Sequence, residues 1–261
     1  MENLISSLIL AIVQGLTEWL PVSSSGHLVL FQEILNYHPG LVFDVALHFG
    51  TLMAVFVYFG KDIVGIIEDL LRGNWKSEKA KLGFLLIIAT IPAAIIGYLF
   101  KKMFESAFES LIVVGWGFAI TSMFLFIASF DFRENKKKFP NWIDAIWVGI
   151  AQALAILPGI SRSGSTISAG LLRGLDEKMA MKFSFLMSIP VIFGAGILEI
   201  GSNKLSPDLI WATLIAFVIG LATIHFLLKF ISRSKKNLRW FAGYALLLAI
   251  GILVKYKNAL I

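Results

Sequence analysis

The feature that most restricts the fold of this chain is a series of long apolar stretches. Six of them approach the about 20 mostly apolar residues that a helix needs to cross a bilayer, and they cover residues 42–60, 84–100, 111–130, 183–200, 209–231 and 239–254. Charged residues make up only 15% of the chain and mean hydropathy is +0.81, whereas soluble domains contain about 25% charged residues. The sequence therefore predicts an all-α polytopic membrane protein.

The remaining composition limits the domain organisation and the chemistry. No polar linker is long enough to separate folded units, so residues 1–261 are interpreted as a single integral-membrane domain. The chain has no cysteine, which excludes disulfides, thiolate metal sites and cysteine nucleophiles. The opening MENLISSLILAIV has no positively charged segment, and we interpret it as part of the mature fold.

Two further apolar regions, residues 4–35 and 143–172, are broken near their middle by proline, glycine and clustered serine. The interruptions read LPVSSSGHL in the first region and LPGISRSGST in the second. Each half is too short to cross a bilayer, and non-helical backbone at membrane depth is tolerated only inside protein or along a wet cavity. Both regions are therefore predicted to be re-entrant helical hairpins.

The distribution of basic residues agrees with six spanning helices and two such hairpins. The loops on one side carry seventeen Lys and Arg residues and those on the other side carry five, while Arg162 lies inside the second hairpin. The positive-inside rule assigns the richer side to the cytoplasm, so both termini and the first hairpin are expected on the outer side. This asymmetry also accounts for the net charge of +6, and no nucleic-acid partner is expected.

The two interrupted regions also resemble each other. An offset of 138 residues superimposes QGLTEWLPVSSSGHL (14–28) on QALAILPGISRSGST (152–166) with five identities, and each copy is followed by three predicted spans. An odd number of crossings gives the halves opposite orientation, so the sequence predicts an inverted-topology repeat of about 1–130 and 139–261. The alternative is that helix contacts between small residues produced the similarity by chance.

Ionisable residues within membrane segments are rare and usually functional, and three stand out: Glu18, His27 and Arg162. Ser23 and Ser24 are both candidate nucleophiles, because His27 lies four and three residues further on and could face either hydroxyl to take its proton, with Glu18 orienting the imidazole. A serine-rich turn that opens a helix also offers hydroxyls and free N–H groups to phosphate. The alternative is a capped helix start with a satisfied histidine.

The second turn supplies the cation that the first turn lacks. Arg162 presents a planar fork of donors that fits phosphate, and the alternative for it is a structural ion pair with Glu18. The predicted substrate-binding residues are the hydroxyls and glycines of both turns: Ser23, Ser25, Gly26, Ser161, Ser163, Gly164 and Thr166.

Three weaker features remain. Gln14 lies one turn before Glu18, and the pair could bind a divalent cation together with phosphate or only hydrogen-bond each other. His48 is interpreted as a core or interfacial histidine. The lysines at 136–138 are interpreted as a positive-inside anchor, and the P-loop pattern of ATP hydrolysis is absent.

The segments QGLTEWLPVSSSGHL and PGISRSGST resemble the two motifs of the undecaprenyl-diphosphate phosphatase family, which is also associated with bacitracin resistance. The resemblance implies a bacterial cytoplasmic-membrane enzyme that dephosphorylates a polyprenyl diphosphate for the synthesis of peptidoglycan and other wall polymers. It implies Ser24 as the nucleophile and His27, Glu18 and Arg162 as its catalytic partners, with Mg²⁺ or Ca²⁺ as cofactor. Members often have glutamate where this chain has Gln14, which makes a two-carboxylate metal site doubtful.

Two other classes of membrane protein share parts of this pattern. A lipid or ion transporter or flippase would also use broken helices in an inverted repeat. Type 2 phosphatidic acid phosphatases share the Ser-Gly-His pattern, but they need a second histidine, and residues 163–175 contain none. The predicted partners are the lipid substrate and the bilayer, and the sequence leaves open whether the chain forms a homodimer.

Overall fold

The computed structural model describes residues 2–130, 136–199 and 207–256. Parts of the predicted loops 131–142 and 201–208 and of the C-terminal tail lie outside the described residues. The described part contains helices and no strand, and the α-helices in chain order are α1 (Glu2–Thr17), α2 (Ser24–Leu35), α3 (Leu41–Tyr58), α4 (Gly60–Leu71), α5 (Glu78–Leu99), α6 (Lys101–Phe108), α7 (Leu111–Ala128), α8 (Trp142–Leu154), α9 (Arg162–Leu172), α10 (Glu177–Glu199), α11 (Pro207–Arg233) and α12 (Leu238–Lys255).

Five of these segments are long and apolar enough to cross a membrane: Leu41–Tyr58, Glu78–Leu99, Leu111–Ala128, Leu209–Arg233 and Lys235–Lys255. The last begins with a short 3₁₀-helix, Lys235–Asn237. The predicted stretch 183–200 falls on α10, which is not among the five in the described part of the chain. The all-α polytopic class is thereby confirmed, with five candidate spans in place of the predicted six.

The helices at the two interruptions are short. Apolar helices cover only Asn3–Thr17 and Trp142–Leu154, and each ends where the sequence changes to the Pro- and Ser-containing turn. The turn residues cannot continue a helix without leaving backbone groups unpaired, because each turn contains a proline. The prediction that each apolar region is broken into two short helices is confirmed.

Two segments that the sequence interpretation treated as loops are helical. α4 falls within the predicted loop 61–83, and α6 falls on the predicted loop 101–110. In α4, Gly65 and Ile66 are buried, whereas Ile67 and Leu71 are exposed. The basic residues of 61–83 concealed this amphipathic helix, because counting charge does not detect helical periodicity.

The start of α8 is fixed by a buried carboxylate. Asn141 and Asp144 form a capping box, in which each side chain accepts a hydrogen bond from the backbone N–H of the other. Asp144 also accepts hydrogen bonds from Lys137 Nζ and Arg173 Nε at 2.9 Å. Lys137, which was predicted to be part of a membrane anchor, is therefore held by a buried acid, and Lys136 is paired with Glu177.

Close backbone approach places the second interrupted turn against α7. A Cβ on Gly117 of α7 would lie only 2.3 Å from the carbonyl oxygen of Pro158, and Gly159 has a φ of +87°. Only glycine fits both positions without strain. In the rest of the bundle α1 packs on α11, α5 on α8 and α7 on α12. The chain segment between α8 and α9 is consequently held inside the bundle.

Candidate active site

The first turn connects α1 to α2 and is tightly constrained. Ser23 has a φ of 68° and its hydroxyl accepts a hydrogen bond from the Gly26 N–H at 3.3 Å, which caps α2. A positive φ at a residue with a side chain costs conformational energy and persists only where the surroundings enforce it. Ser23 is buried, while Ser24 and Ser25 are partly accessible. The turn thus presents the two following serines, not its own cap residue, to an entering molecule.

The second turn is capped in the same way. The hydroxyl of Ser161 accepts a hydrogen bond from the Gly164 N–H at 3.0 Å. Thr121 of α7 fixes this turn from the side, because its hydroxyl donates to the Gly159 carbonyl at 2.9 Å and accepts from the Ser161 N–H at 2.8 Å. These bonds hold the N-terminus of α9, and hence Arg162, at a defined position.

The two turns are in direct contact, as predicted. Ser163 of the second turn donates a hydrogen bond to the Leu20 carbonyl of the first at 3.1 Å. A Cβ on Gly26 would lie 2.9 Å from the Cα of Gly159. The N-termini of α2 and α9 therefore meet, and both carry the partial positive charge of a helix start. Such a place favours an anion.

Glu18 lies at the centre of the contact. Its Oε1 is 2.5 Å from Arg162 Nη2. Its Oε2 accepts hydrogen bonds from the Ser24 hydroxyl at 2.6 Å and from the Gln14 amide at 3.0 Å. The carboxylate is 4% exposed. The ion pair that was considered as the structural alternative is thus present, and it links the candidate nucleophile to the candidate anion-binding cation.

Arg162 retains donor capacity beyond this pair. Its side chain is 15% exposed, its guanidinium lies 5.2 Å from the centre of the Trp19 ring, and its buried Nη1 has no hydrogen-bond partner among the described residues. A buried donor without a partner is costly. Arg162 can therefore bind an anion with Nη1 while Nη2 faces Glu18.

His27 does not contact Ser24, and this part of the predicted relay is wrong. Its Nδ1 lies 2.7 Å from the Ser23 carbonyl and its Nε2 lies 2.8 Å from the hydroxyl of Tyr244 on α12. The imidazole also stacks on the Tyr244 ring and packs edge-on against Phe118. A carbonyl oxygen can only accept, so Nδ1 carries a proton and neither ring nitrogen faces Ser24. The hydroxyl of Ser24 points to Glu18 instead.

His48 was predicted to be a core or interfacial histidine, but it belongs to the site. Its Nε2 lies 3.5 Å from Glu18 Oε2, and its side chain is 28% exposed. The rule that selected Glu18 and His27, an ionisable residue inside an apolar stretch, applies equally to His48. The orientation of α3 relative to the first turn could not be predicted from the sequence.

The predicted substrate-binding residues fall into two sets. Ser25 is partly accessible and contacts Ser23 at 3.3 Å between hydroxyl oxygens, whereas the other six are buried. Of these six, Thr166 donates to the Arg162 carbonyl and contacts Ser184 of α10 at 2.7 Å. In this arrangement the hydroxyl of Thr166 is already engaged within α9 and with α10.

The predicted cation ligands, Gln14 and Glu18, are adjacent but do not fit a protein-held Mg²⁺ or Ca²⁺. Gln14 directs its NH₂ group at Glu18, whose second oxygen faces the cationic Arg162. The oxygen left over is Gln14 Oε1, which is buried without a partner in the described structure, whereas these cations take about six or more oxygens. Nowhere in the described residues do three or more His, Asp or Glu side chains form a metal site.

A hydroxyl, a carboxylate and a guanidinium thus meet at two helix N-termini inside a multi-pass helical membrane protein. The chain is therefore an integral-membrane protein in which two interrupted turns bring Ser24, Glu18 and Arg162 together.

Comparison with known proteins gives the family. The model of a family described as bacitracin resistance protein BacA matches residues 7–251. The chain is 42% identical to the undecaprenyl-diphosphatase of Mycobacterium leprae (strain Br4923), over 95% of this chain and 92% of the relative. It is 43% identical to the undecaprenyl-diphosphatase of Thermosipho africanus (strain TCF52B), over 93% of this chain and 96% of the relative. The chain therefore belongs to the bacitracin resistance protein BacA family.

Proposed function

We propose that this chain is an integral-membrane phosphatase that hydrolyses undecaprenyl diphosphate to undecaprenyl phosphate and inorganic phosphate. This reaction recycles the lipid carrier for cell-wall polymer synthesis. The observation that carries the proposal is the position of Glu18, with one oxygen 2.6 Å from the Ser24 hydroxyl and the other facing Arg162. The relatives carry the name of this enzyme, which favours the phosphatase over the transporter or flippase alternative.

The diphosphate binds where the two turns meet. Arg162 Nη1 and the N-terminal ends of α2 and α9 receive the terminal phosphoryl group, while Nη2 stays on Glu18. Ser25 is accessible beside Ser24 and adds a hydroxyl to this surface. Donors that are fixed before the substrate arrives stabilise developing charge without further reorganisation, and a guanidinium matches phosphate oxygens in geometry as well as in charge.

In the first step, Ser24 Oγ attacks the terminal phosphorus. The bond from this phosphorus to the bridging oxygen breaks, and undecaprenyl phosphate leaves with the electron pair. The hydroxyl proton passes to Glu18 Oε2, its hydrogen-bond acceptor at 2.6 Å, and from there to the departing phosphate. A carboxylate is a sufficient base, because phosphoryl transfer proceeds through a loose transition state in which the nucleophile needs little activation.

In the second step, water attacks the phosphoserine. Glu18 takes a proton from this water and returns it to Ser24 Oγ as inorganic phosphate is released. Direct attack by a water on the diphosphate is the variant without a covalent intermediate. His27, whose Nε2 is hydrogen-bonded to Tyr244, stabilises the position of the first turn.

The hairpins determine how the lipid reaches this site. We propose that α1–α2 and α8–α9 are re-entrant, that α10 is the sixth span, and that the halves are inverted repeats. Equivalent packing supports the repeat, since α1 packs on α11 as α8 packs on α5. The polyprenyl tail then lies among the helices in the bacterial cytoplasmic membrane, with the headgroup in a cavity that opens to the outer side. We also propose that the chain assembles as a homodimer.

Any requirement for Mg²⁺ or Ca²⁺ is proposed to come from the diphosphate substrate and not from a metal site in the protein. Gln14 and Glu18 lack the oxygen donors to hold the ion, so we propose that it accompanies the diphosphate as a counter-ion. Replacing Gln14 by Leu should then leave the dependence of the rate on cation concentration unchanged, whatever its effect on the rate itself.

The test is phosphate release from undecaprenyl diphosphate by the purified protein in detergent. The matched control for Ser24→Ala is Ser106→Ala, because Ser106 is exposed on α6 and its hydroxyl donates to the Met103 carbonyl of the same helix. The wild type and Ser106→Ala should release phosphate, and Ser24→Ala should not. A wild type that releases none would refute the phosphatase, while an active Ser24→Ala would refute the covalent step and leave direct water attack.

A further inference from the structure

The first turn has a histidine on either side of it, and the two have different surroundings. His27 is 2% exposed, and both of its ring nitrogens are engaged away from Ser24. His48, on α3, is 28% exposed in its side chain and lies 3.5 Å from the same Glu18 oxygen that accepts the Ser24 hydroxyl. Of these two histidines, His48 is therefore the one in contact with the Ser24–Glu18 pair.

The tautomer of His48 is set by its own helix. Its Nδ1 lies 2.8 Å from the Asp44 carbonyl, which can only accept, so Nδ1 carries a proton. This bond turns Nε2 toward Glu18. The side chain of Asp44 is engaged with another residue at one oxygen, because its Oδ1 accepts a hydrogen bond from Gln32 at 2.9 Å. The imidazole is thereby aimed at one acceptor, the Oε2 of Glu18.

We propose that His48 is a positioning residue for Glu18 in the reaction described above. With Nδ1–H donated to Asp44, the ring can also donate Nε2–H to the carboxylate only in its doubly protonated form, in which both nitrogens are donors. The separation of 3.5 Å exceeds an ordinary hydrogen bond, and such contacts commonly tighten only when the substrate is bound. His48 then holds Oε2 on Ser24 while Arg162 holds Oε1, so both oxygens of the base are fixed. The inference rests on the proposed phosphatase function.

Arg162 and His48 have different roles around the Glu18 carboxylate. Arg162 serves Glu18 and, through its unpartnered Nη1, the phosphate. His48 has no such second donor free, because Nδ1 is committed to Asp44. Loss of His48 should therefore lower the rate of the chemical step and leave substrate binding nearly unchanged, whereas loss of Arg162 should affect both.

The experiment compares His48→Ala and His48→Gln by phosphate release, with His225→Ala as the matched control. His225 lies on α11, is exposed, and bonds to Tyr58, away from the two turns. Hydrogen bonds to a charged group are stronger than those between neutral groups, so we expect kcat to fall about tenfold or more in His48→Ala with little change in KM. His48→Gln retains a side-chain N–H and should recover most of the loss, and His225→Ala should match the wild type.

A double variant tests whether His48 acts through Glu18. In a Glu18→Gln background, adding His48→Ala should cost almost nothing more, because residues that act together are not additive. Full activity of His48→Ala would overturn the proposal, as would equal losses in the Ala and Gln variants accompanied by a lower Tm, which would mark a structural role. If the wild type itself released no phosphate, the proposed function would fail. If only Ser24→Ala were inactive, the phosphatase would stand and the assignment of His48 would fall.

Discussion

The two interrupted turns have similar sequences and caps but different content. In each, a serine hydroxyl caps the following helix from the same register position, Ser23 in the first turn and Ser161 in the second. The first turn adds the partly accessible Ser24, the proposed nucleophile, and a carboxylate. The second adds Arg162, while its hydroxyl at Ser163 is used to bind the Leu20 carbonyl. The comparison shows that the same capping arrangement occurs in both turns, while the charged side chains beside it differ.

The glutamines before the turns show the same division. Gln14 donates to Glu18 four residues later. Gln152 occupies the equivalent position, but the residue four places later is Ile156, and both amide atoms of Gln152 are buried without a hydrogen-bond partner among the described residues. The first glutamine therefore supports the site, and the second is a polar group without an evident task.

The largest effect on activity in this comparison is expected from a substitution of Arg162, the cation of the second turn. Arg162→Lys keeps the positive charge and loses the planar fork, so one ammonium must serve both Glu18 and the phosphate. We expect kcat/KM for undecaprenyl diphosphate to fall about 10²-fold, on the scale of removing one preorganised donor to developing charge. Arg72→Lys, at an exposed position in the loop after α4, is the control. Wild-type activity of Arg162→Lys would show that the second turn supplies only a point charge.

A smaller effect separates the two glutamines. Gln14→Leu removes one of the donors that fix Glu18, and we expect about a tenfold loss of kcat from one hydrogen bond to a charged group. Gln152→Leu replaces a buried, unpartnered amide by an apolar side chain of similar size, so activity should be kept and Tm should stay equal or rise. Equal losses of activity in both variants would contradict the unequal roles of the two halves.

The smallest effect concerns the partner of His27. Tyr244→Phe removes the hydroxyl that lies 2.8 Å from Nε2 and keeps the stacked ring. Because His27 only holds the turn, we expect a loss of stability of about 1 kcal/mol and a change in kcat of less than about threefold. The measurement is Tm in detergent together with phosphate release. A loss of kcat as large as that of Ser24→Ala would instead make the His27–Tyr244 pair part of the proton transfer.

Much of this site could be predicted from the sequence, because the relevant signals are local or repeated. Apolar length predicted the helical membrane class, and the offset of 138 residues predicted that Arg162 would meet the first turn. The structure shows this meeting as the contact between Glu18 and Arg162. The short helices α4 and α6 were missed, since their polar residues made both segments resemble loops.

The side-chain orientations in the site could not be predicted. His27 is three residues from Ser24, which allows a contact on a helix, but its ring is held by Tyr244, 217 residues away in the chain. His48 reaches Glu18 because α3 packs beside α1, and the rotation of one helix against another depends on packing across the whole bundle. Sequence spacing specifies which residues can meet within one element, and tertiary packing decides between them.

The central claim is that the two turns act as one site, and a double-mutant cycle between them tests it most directly. The measurement is kcat/KM for phosphate release by the wild type, Glu18→Gln, Arg162→Gln and the double variant, each checked for folding by Tm in detergent. If Glu18 and Arg162 work as a pair, the double variant should be no slower than the slower single variant. Losses that multiply, so that the double variant equals the product of the two single effects, would contradict a shared site.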